Sequence, residues 1–154
     1  KSVGEVPEER YEIPFGKAAI LKEGSDVTIV AWSKMLEEVE IAATRLESEN
    51  ISVEIIDPRT LVPLDFDAIV KSVEKTGRLV IAHEAVKVGG FGGEIAARFS
   101  ESEASKFLKS SIVRVGNKGA PVPYSSDLSK YVVPSAKDVE LAVKTTMGVT
   151  KGDL

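Results

Sequence analysis

The residues best suited to chemistry gather in the middle of the chain. Gly89-Gly90-Phe91-Gly92-Gly93 stands between an apolar run and a helical pattern. Glycine there permits close backbone approach, and the free amides of a helix start attract anions. A phosphate loop would use such a run, and so would a tight turn that lets a helix pack closely. The spacing favours the turn. Gly90-x-Gly92 is followed three residues on by Ile95, where the dinucleotide fingerprint needs a third glycine, and no Gly-Lys-Ser/Thr follows. Just upstream, His83-Glu84 ends the apolar run, at the strand edge where open α/β sheets place ligands. The pair could act as general acid and base, or His83 could be a hydrogen-bonded structural residue. Neighbours on extended backbone point to opposite sides, so the two do not automatically cooperate.

Asp57-x-Arg59-Thr60-Leu61 offers a further possibility. Its acid and base could grip an anionic ligand, or pair with each other to hold a loop or a subunit contact. The second use is expected. Trp32 is expected to serve packing or an interface rather than ligand stacking. The chain has no cysteine and a single histidine, which excludes disulfides, thiolate nucleophiles, zinc–cysteine sites and multi-histidine metal sites. No catalytic, cofactor-binding or metal-binding residue is therefore assigned. Asp57, Arg59, His83, Glu84, Gly89, Gly90, Phe91, Gly92 and Gly93 are expected to be interface or structural residues.

Alternating strands and helices must position these groups. Residues 1–12 are polar and hold Pro7, Glu5, Glu8, Glu9 and Glu12, so they read as a linker or arm. Lys17 to Leu21 suit an edge strand, and Val27 to Ala31 the first firm one. Ser33 is placed to cap a helix running to about Glu49, with Met35, Leu36, Val39, Ala42, Ala43 and Leu46 inward. Ser52 to Ile56 form the next strand. Asp65 then caps a short helix with Phe66, Ile69, Val70 and Val73 inward, stopped at Gly77. Leu79 to Ala82 read as a strand buried on both faces. Phe91, Ile95, Phe99 and Phe107 mark a helix, and Ile112 to Val115 a strand. A loop through Pro121, Pro123 and Pro134 leads to a last helix, opened by the box-like Ser135-Ala136-Lys137-Asp138 and closed at Gly148. The pattern predicts an α/β three-layer sandwich, with a mainly parallel sheet covered by helices on both faces. The domain is expected over residues 13–148, with a tail at 149–154.

Composition narrows the partners. With 154 residues the chain is one domain by length, and its mean hydropathy of +0.01 is that of a soluble globular protein. A net charge of −4 argues against nucleic acid, and no stretch approaches the roughly 20 apolar residues of a membrane span.

Taken in order, several segments resemble one family. Val6-Pro7-Glu8-Glu9-x-Tyr11-x-Ile13-Pro14-x-Gly16-Lys17-Ala18 is similar to the connector between the two domains of the beta subunit in thiamine-dependent 2-oxo acid dehydrogenases. Gly24-Ser25-Asp26-Val27-Thr28-Ile29-Val30, Asp57-x-Arg59-Thr60-Leu61-x-Pro63-Leu64-Asp65 and Thr76-Gly77-Arg78 continue the likeness. His83-Glu84-Ala85, Gly89-Gly90-Phe91-Gly92-x-Glu94-Ile95 and Pro121-Val122-Pro123-Tyr124 complete it. The family acts on pyruvate, branched-chain 2-oxo acids and acetoin, with a related domain in transketolases. The resemblance implies a transketolase C-terminal-like domain with a five-stranded sheet, serving assembly rather than chemistry. It implies thiamine diphosphate and magnesium in the intact enzyme but none in this fragment, because the cofactor lies between the alpha subunit and an amino-terminal beta domain. The implied partners are the alpha subunit, a second beta subunit and the acyltransferase core through its peripheral subunit-binding module. The implied compartment is bacterial cytoplasm, mitochondrial matrix or plastid stroma. At Leu108-Lys109-Ser110-Ser111 the chain departs from the family's Leu-Asp/Glu-Ala-Pro, and a lysine there would repel a basic module. Two other readings stay open: a stand-alone phosphate- or nucleotide-binding module, and the C-terminal domain of another transketolase-type enzyme.

Overall fold

Side chains along the central strands alternate between two apolar surfaces, and that alternation sets the layers. The computed structural model describes residues 5–148. β1 (Ala19–Lys22), β2 (Val27–Ala31), β3 (Val53–Asp57), β4 (Leu79–Val86) and β5 (Val113–Asn117) form one sheet in the order β1-β3-β2-β4-β5. β2, β3, β4 and β5 run parallel, and β1 pairs antiparallel with β3 at one edge.

On one face Val27, Ile29, Ala31, Val53, Ile55, Val80 and Ala82 pack against α1 (Met35–Ser48) and α5 (Ala136–Thr146). On the other, Val30, Ile56, Leu79 and Ile81 meet α2 (Phe66–Thr76), α3 (Phe91–Glu101) and a 3-10 turn at Glu103–Phe107. Each central strand is thus buried on both faces, which is why it reads as a nearly unbroken apolar run. The architecture is the expected three-layer α/β sandwich with five strands. A short α4 (Ser126–Ser129) adds a turn within the Pro-rich loop that the sequence leaves irregular. The tail at 149–154 and the first four residues of the arm lie outside the described residues.

Local signals set most boundaries. Ser135 and Asp138 form the reciprocal capping box at the start of α5. Gly77 closes α2 at φ +75°, a left-handed position that glycine enters without a Cβ penalty. One cap differs from expectation. Ser33 stands at φ 57° and gives no side-chain cap; α1 starts two residues later, at Met35, with Lys34 in the N-cap position. The helix is held instead by its apolar stripe and by Glu37 and Glu38 in the first turn, where the macrodipole favours carboxylates. Leu36 and Val70, expected inside, are only half-buried.

Asp65 does cap α2, and it reaches beyond the helix. One carboxylate oxygen accepts from Ala68 N–H at 3.3 Å and the other from Ala18 N–H at 3.0 Å, tying α2 to the approach to β1. Asp65→Ala should cost about 1.5 kcal/mol in urea unfolding, one cap plus a second hydrogen bond. Asp65→Asn keeps one acceptor oxygen and turns an NH2 toward the other amide, so it should lose at least half of that; wild-type stability in Asp65→Asn would refute the shared-cap account.

Candidate functional site

The chain leaves β2 toward β3 on one side and returns to β4 on the other. The carboxyl ends of β2 and β4 therefore flank the crevice where open α/β sheets bind ligands. Ala31 pairs with Ala82 in the β2–β4 register, so the next residue of each strand stands across from the other. Those residues are Trp32 and His83. Their rings stack with centroids 5.2 Å apart and planes 27° from parallel, and Phe91 meets Trp32 edge-on at 6.4 Å. The aromatic cluster fills the crevice.

The glycine run is shaped around the histidine. A Cβ on Gly92 would lie 2.5 Å from His83 Nε2 and 3.1 Å from Ile81 Cγ2. One on Gly90 would lie 2.2 Å from the Val86 carbonyl oxygen and 2.8 Å from His83 Cε1. Gly116, on β5, would bring a Cβ to 3.3 Å from the same Cε1. Within the run only Gly89 takes positive φ (+75°), and a Cβ there would meet nothing within 4 Å, so it serves the turn itself. The close approach that glycine grants to a phosphate in a nucleotide loop is granted here to an imidazole ring.

His83 is 1% exposed, and its Nδ1–H donates to the Ala85 carbonyl at 3.0 Å. A carbonyl can only accept, so the proton sits on Nδ1 and Nε2 carries the lone pair. Nε2 is buried without a hydrogen-bond partner among the described residues. Burial pushes the imidazole pKa below its usual value; the Ala85 carbonyl opposes this and the positive Arg114 adds to it. Glu84 is exposed while His83 is buried, so the neighbours do not meet as an acid–base pair.

The other sequence candidates lie apart. Asp57 does hold its loop, but through the backbone: its carboxylate accepts from the Arg59 amide at 2.9 Å. No Asp57–Arg59 ion pair forms among the described residues, and Arg59 is exposed at φ 55°. Thr60 braces the same loop, accepting from Gly16 N–H at 2.9 Å and donating to the Pro63 carbonyl at 2.7 Å. The Lys109 stem lies over Gly77, and its amide donates to the Gly77 carbonyl at 2.8 Å.

Sequence reasoning missed a buried polar cluster at the opposite end of the sheet. The Thr28 hydroxyl contacts those of Ser72 and Thr76 at 2.6 and 2.7 Å. Beside it the Glu54 carboxylate, 1% exposed, accepts from Lys75 and from the Gly24 amide. The signal was a lone acid and a lone threonine within apolar strands, placed side by side by the Thr28–Glu54 pairing. A cleft of about 720 Å³ also runs between edge strand β5 and α5, with Lys87, Arg114, Lys118, Asp138 and Leu141 among its walls. No three His, Asp or Glu side chains gather as metal ligands among the described residues.

Residues 16–139 match the family described as transketolase, C-terminal domain. The chain belongs to that family. This transketolase C-terminal domain is 45% identical over 140 residues to the pyruvate dehydrogenase E1 component subunit beta of Rickettsia bellii, covering 91% of the chain and 43% of the relative. It is 42% identical over 144 residues to the beta subunit of acetoin:2,6-dichlorophenolindophenol oxidoreductase of Cupriavidus necator, covering 94% and 42%. Subunit beta 2 of mitochondrial 2-oxoisovalerate dehydrogenase from Arabidopsis thaliana is 39% identical over 147 residues, covering 96% and 40%. The chain thus spans about two fifths of the length of these curated relatives. Among solved structures, one described as a split gene transketolase, inactive beta4 tetramer, superposes with a TM-score of 0.78 at 32% identity. It covers 95% of this chain and 46% of that one.

Proposed function

We propose that this domain is the assembly half of the beta subunit of a 2-oxo acid dehydrogenase, in its decarboxylating component. One observation carries the reading: beta subunits acting on three substrate types align with over nine tenths of this chain and with under half of themselves. The whole enzyme would convert a 2-oxo acid and lipoyl-lysine into acyl-dihydrolipoyl-lysine and carbon dioxide, using thiamine diphosphate and magnesium. The residues present do not fit that cofactor. The glycine-started helix, the natural seat for a diphosphate, is closed at Gly90 and Gly92 by the His83 ring and the Val86 carbonyl. The cofactor site is accordingly assigned to a domain and an alpha subunit outside this chain.

Exposed apolar side chains support a role in assembly. Val88, at the head of the glycine loop, is 89% exposed, and Tyr124 of the Pro-Val-Pro-Tyr segment is fully exposed. These surfaces, with Arg59, Glu84 and Phe91, are proposed to meet the alpha subunit and a second beta subunit. Residues 1–12 would then connect the two beta domains, and 149–154 would form a tail. Docking of the acyltransferase core at Lys109 is disfavoured by its charge and by its use as the cover of Gly77. The enzyme would work in bacterial cytoplasm or an organelle matrix.

The test begins with the gene, whose reading frame before Lys1 should encode a pyrimidine-binding domain. That full subunit, purified with its alpha partner, should in a thiamine-dependent way release carbon dioxide from pyruvate or a branched-chain 2-oxo acid, or acetaldehyde from acetoin. Turnover by the 154-residue chain alone would overturn the proposal. The split-gene transketolase supports a second reading, a transketolase beta subunit, which ketol transfer between sugar phosphates without decarboxylation would distinguish.

A further inference from the structure

The only tryptophan and the only histidine of the chain are stacked on each other beneath the start of a helix. We propose that Trp32 and His83 form a proton-operated latch, in which charging the imidazole drives it from beneath Gly90 and Gly92 and frees the first turn of α3.

Closure depends on the neutral ring. Adding a proton at Nε2 creates a donor that must find an acceptor, yet that nitrogen is buried and unpartnered and faces the Gly92 α-carbon. The positive end of the α3 dipole stands on the same side and opposes a cation. Charged groups come from every element around the ring: Lys34 after β2, Glu84 and Lys87 from β4 and its continuation, Glu94 and Arg98 from α3, Arg114 and Lys118 around β5. Of these only Arg114 acts on the imidazole, and it too is positive. Two forces favour the charged form in place, the Ala85 carbonyl at Nδ1 and the attraction of an imidazolium for the stacked indole face. Together they are weaker than the cost of burying a charge whose second N–H has no acceptor, so the charged ring leaves.

Folding lowers the imidazole pKa from its ordinary 6.5, so the unfolded or opened segment binds the proton first as pH falls. Closure is complete above that value and weakens below it, about tenfold for each pKa unit of lowering. The opened segment would be Glu84 to Gly89, already exposed along its length, together with the α3 start.

The stacked pair supplies its own readout. Tryptophan fluorescence of the full chain should change in one transition below pH 6.5, with the midpoint matching titration of the single histidine Cε1 proton by NMR. Through the same transition the first-turn amides of α3 should exchange about tenfold faster, after correction for intrinsic rates, while those of α1 stay unchanged. His83→Gln should abolish the fluorescence transition. Should that variant fail to fold, Trp32→Phe keeps the NMR and exchange measurements available. A histidine that titrates at or above 6.5 with α3 undisturbed would overturn the latch, as would a transition that persists in His83→Gln.

Discussion

Gly92→Ala should destabilise the chain by about 2 kcal/mol, and the same change should become neutral or stabilising once His83 is removed. Alanine is the better helix former by roughly 0.5–1 kcal/mol, so on propensity alone the substitution would help. The packing reverses the sign. The new methyl group would stand 2.5 Å from His83 Nε2 and 2.6 Å from Cδ2. The ring cannot step aside, because Trp32 covers it, the Ala85 carbonyl holds Nδ1 and Gly90 borders Cε1. Overpacking of this kind costs about 1–3 kcal/mol, more than the propensity gain. In a His83→Ala background the ring is gone, and the propensity gain is set only against a 3.1 Å contact with Ile81 Cγ2, whose side chain need give by only a few tenths of an ångström. Urea unfolding of both singles and the double would give a coupling of about 2 kcal/mol or more. Additive losses would mean that Gly92 serves something other than the histidine.

The pairing behind that prediction was only partly legible in the sequence. The glycine run announced a close approach, and the missing third glycine argued against a nucleotide. What approaches closely depends on which strands are neighbours. Once β2 and β4 are adjacent with Ala31 beside Ala82, Trp32 falls opposite His83. No periodicity within a single segment contains that fact. Strands and helices were easier, because burial on both faces writes continuous apolar runs and a covered helix writes a stripe. The end of β4 was harder, since His83, Glu84 and Ala85 continue the strand without an apolar signature. Ser33 misled for a related reason: a hydroxyl before a helical stripe suggests a cap, but the turn out of β2 places it at φ 57°. Asp57 and Arg59 meet through a backbone amide and not through the side-chain pairing that their types suggest.

The Glu54 cluster gives the second large effect. Burial by itself would raise the Glu54 pKa; hydrogen bonds from Lys75, Ser72 and the Gly24 amide outweigh it, and the carboxyl ends below its usual 4.5. Lys75 moves up correspondingly, through its hydrogen bonds to Glu23 and Glu54. The carboxylate is buried while Lys75 is 44% exposed, so the two substitutions are not equivalent. Lys75→Met strands a buried anion. Loss of one partner from a fully buried pair costs about 3–5 kcal/mol; with the Gly24 amide and Ser72 retained and Lys75 half in water, about 2–3 kcal/mol is expected at neutral pH.

Acid should act oppositely on two variants. A lowered folded pKa means the unfolded chain takes the proton first, so this stabilisation is complete above 4.5 and lost as pH falls through the folded value. Glu54→Gln should therefore flatten the acid limb of the stability curve. Lys75→Met leaves burial dominant and raises the pKa, so protonation relieves the stranded charge and the deficit to wild type narrows as pH falls. Urea unfolding at about pH 7 and about pH 5 separates these cases. A Lys75→Met deficit that is small at neutral pH, or that widens in acid, would show that Glu54 is held by its amide and hydroxyl donors alone. The double replacement Glu54→Met with Lys75→Met should recover much of the loss, because apolar groups of similar volume leave no charge to solvate.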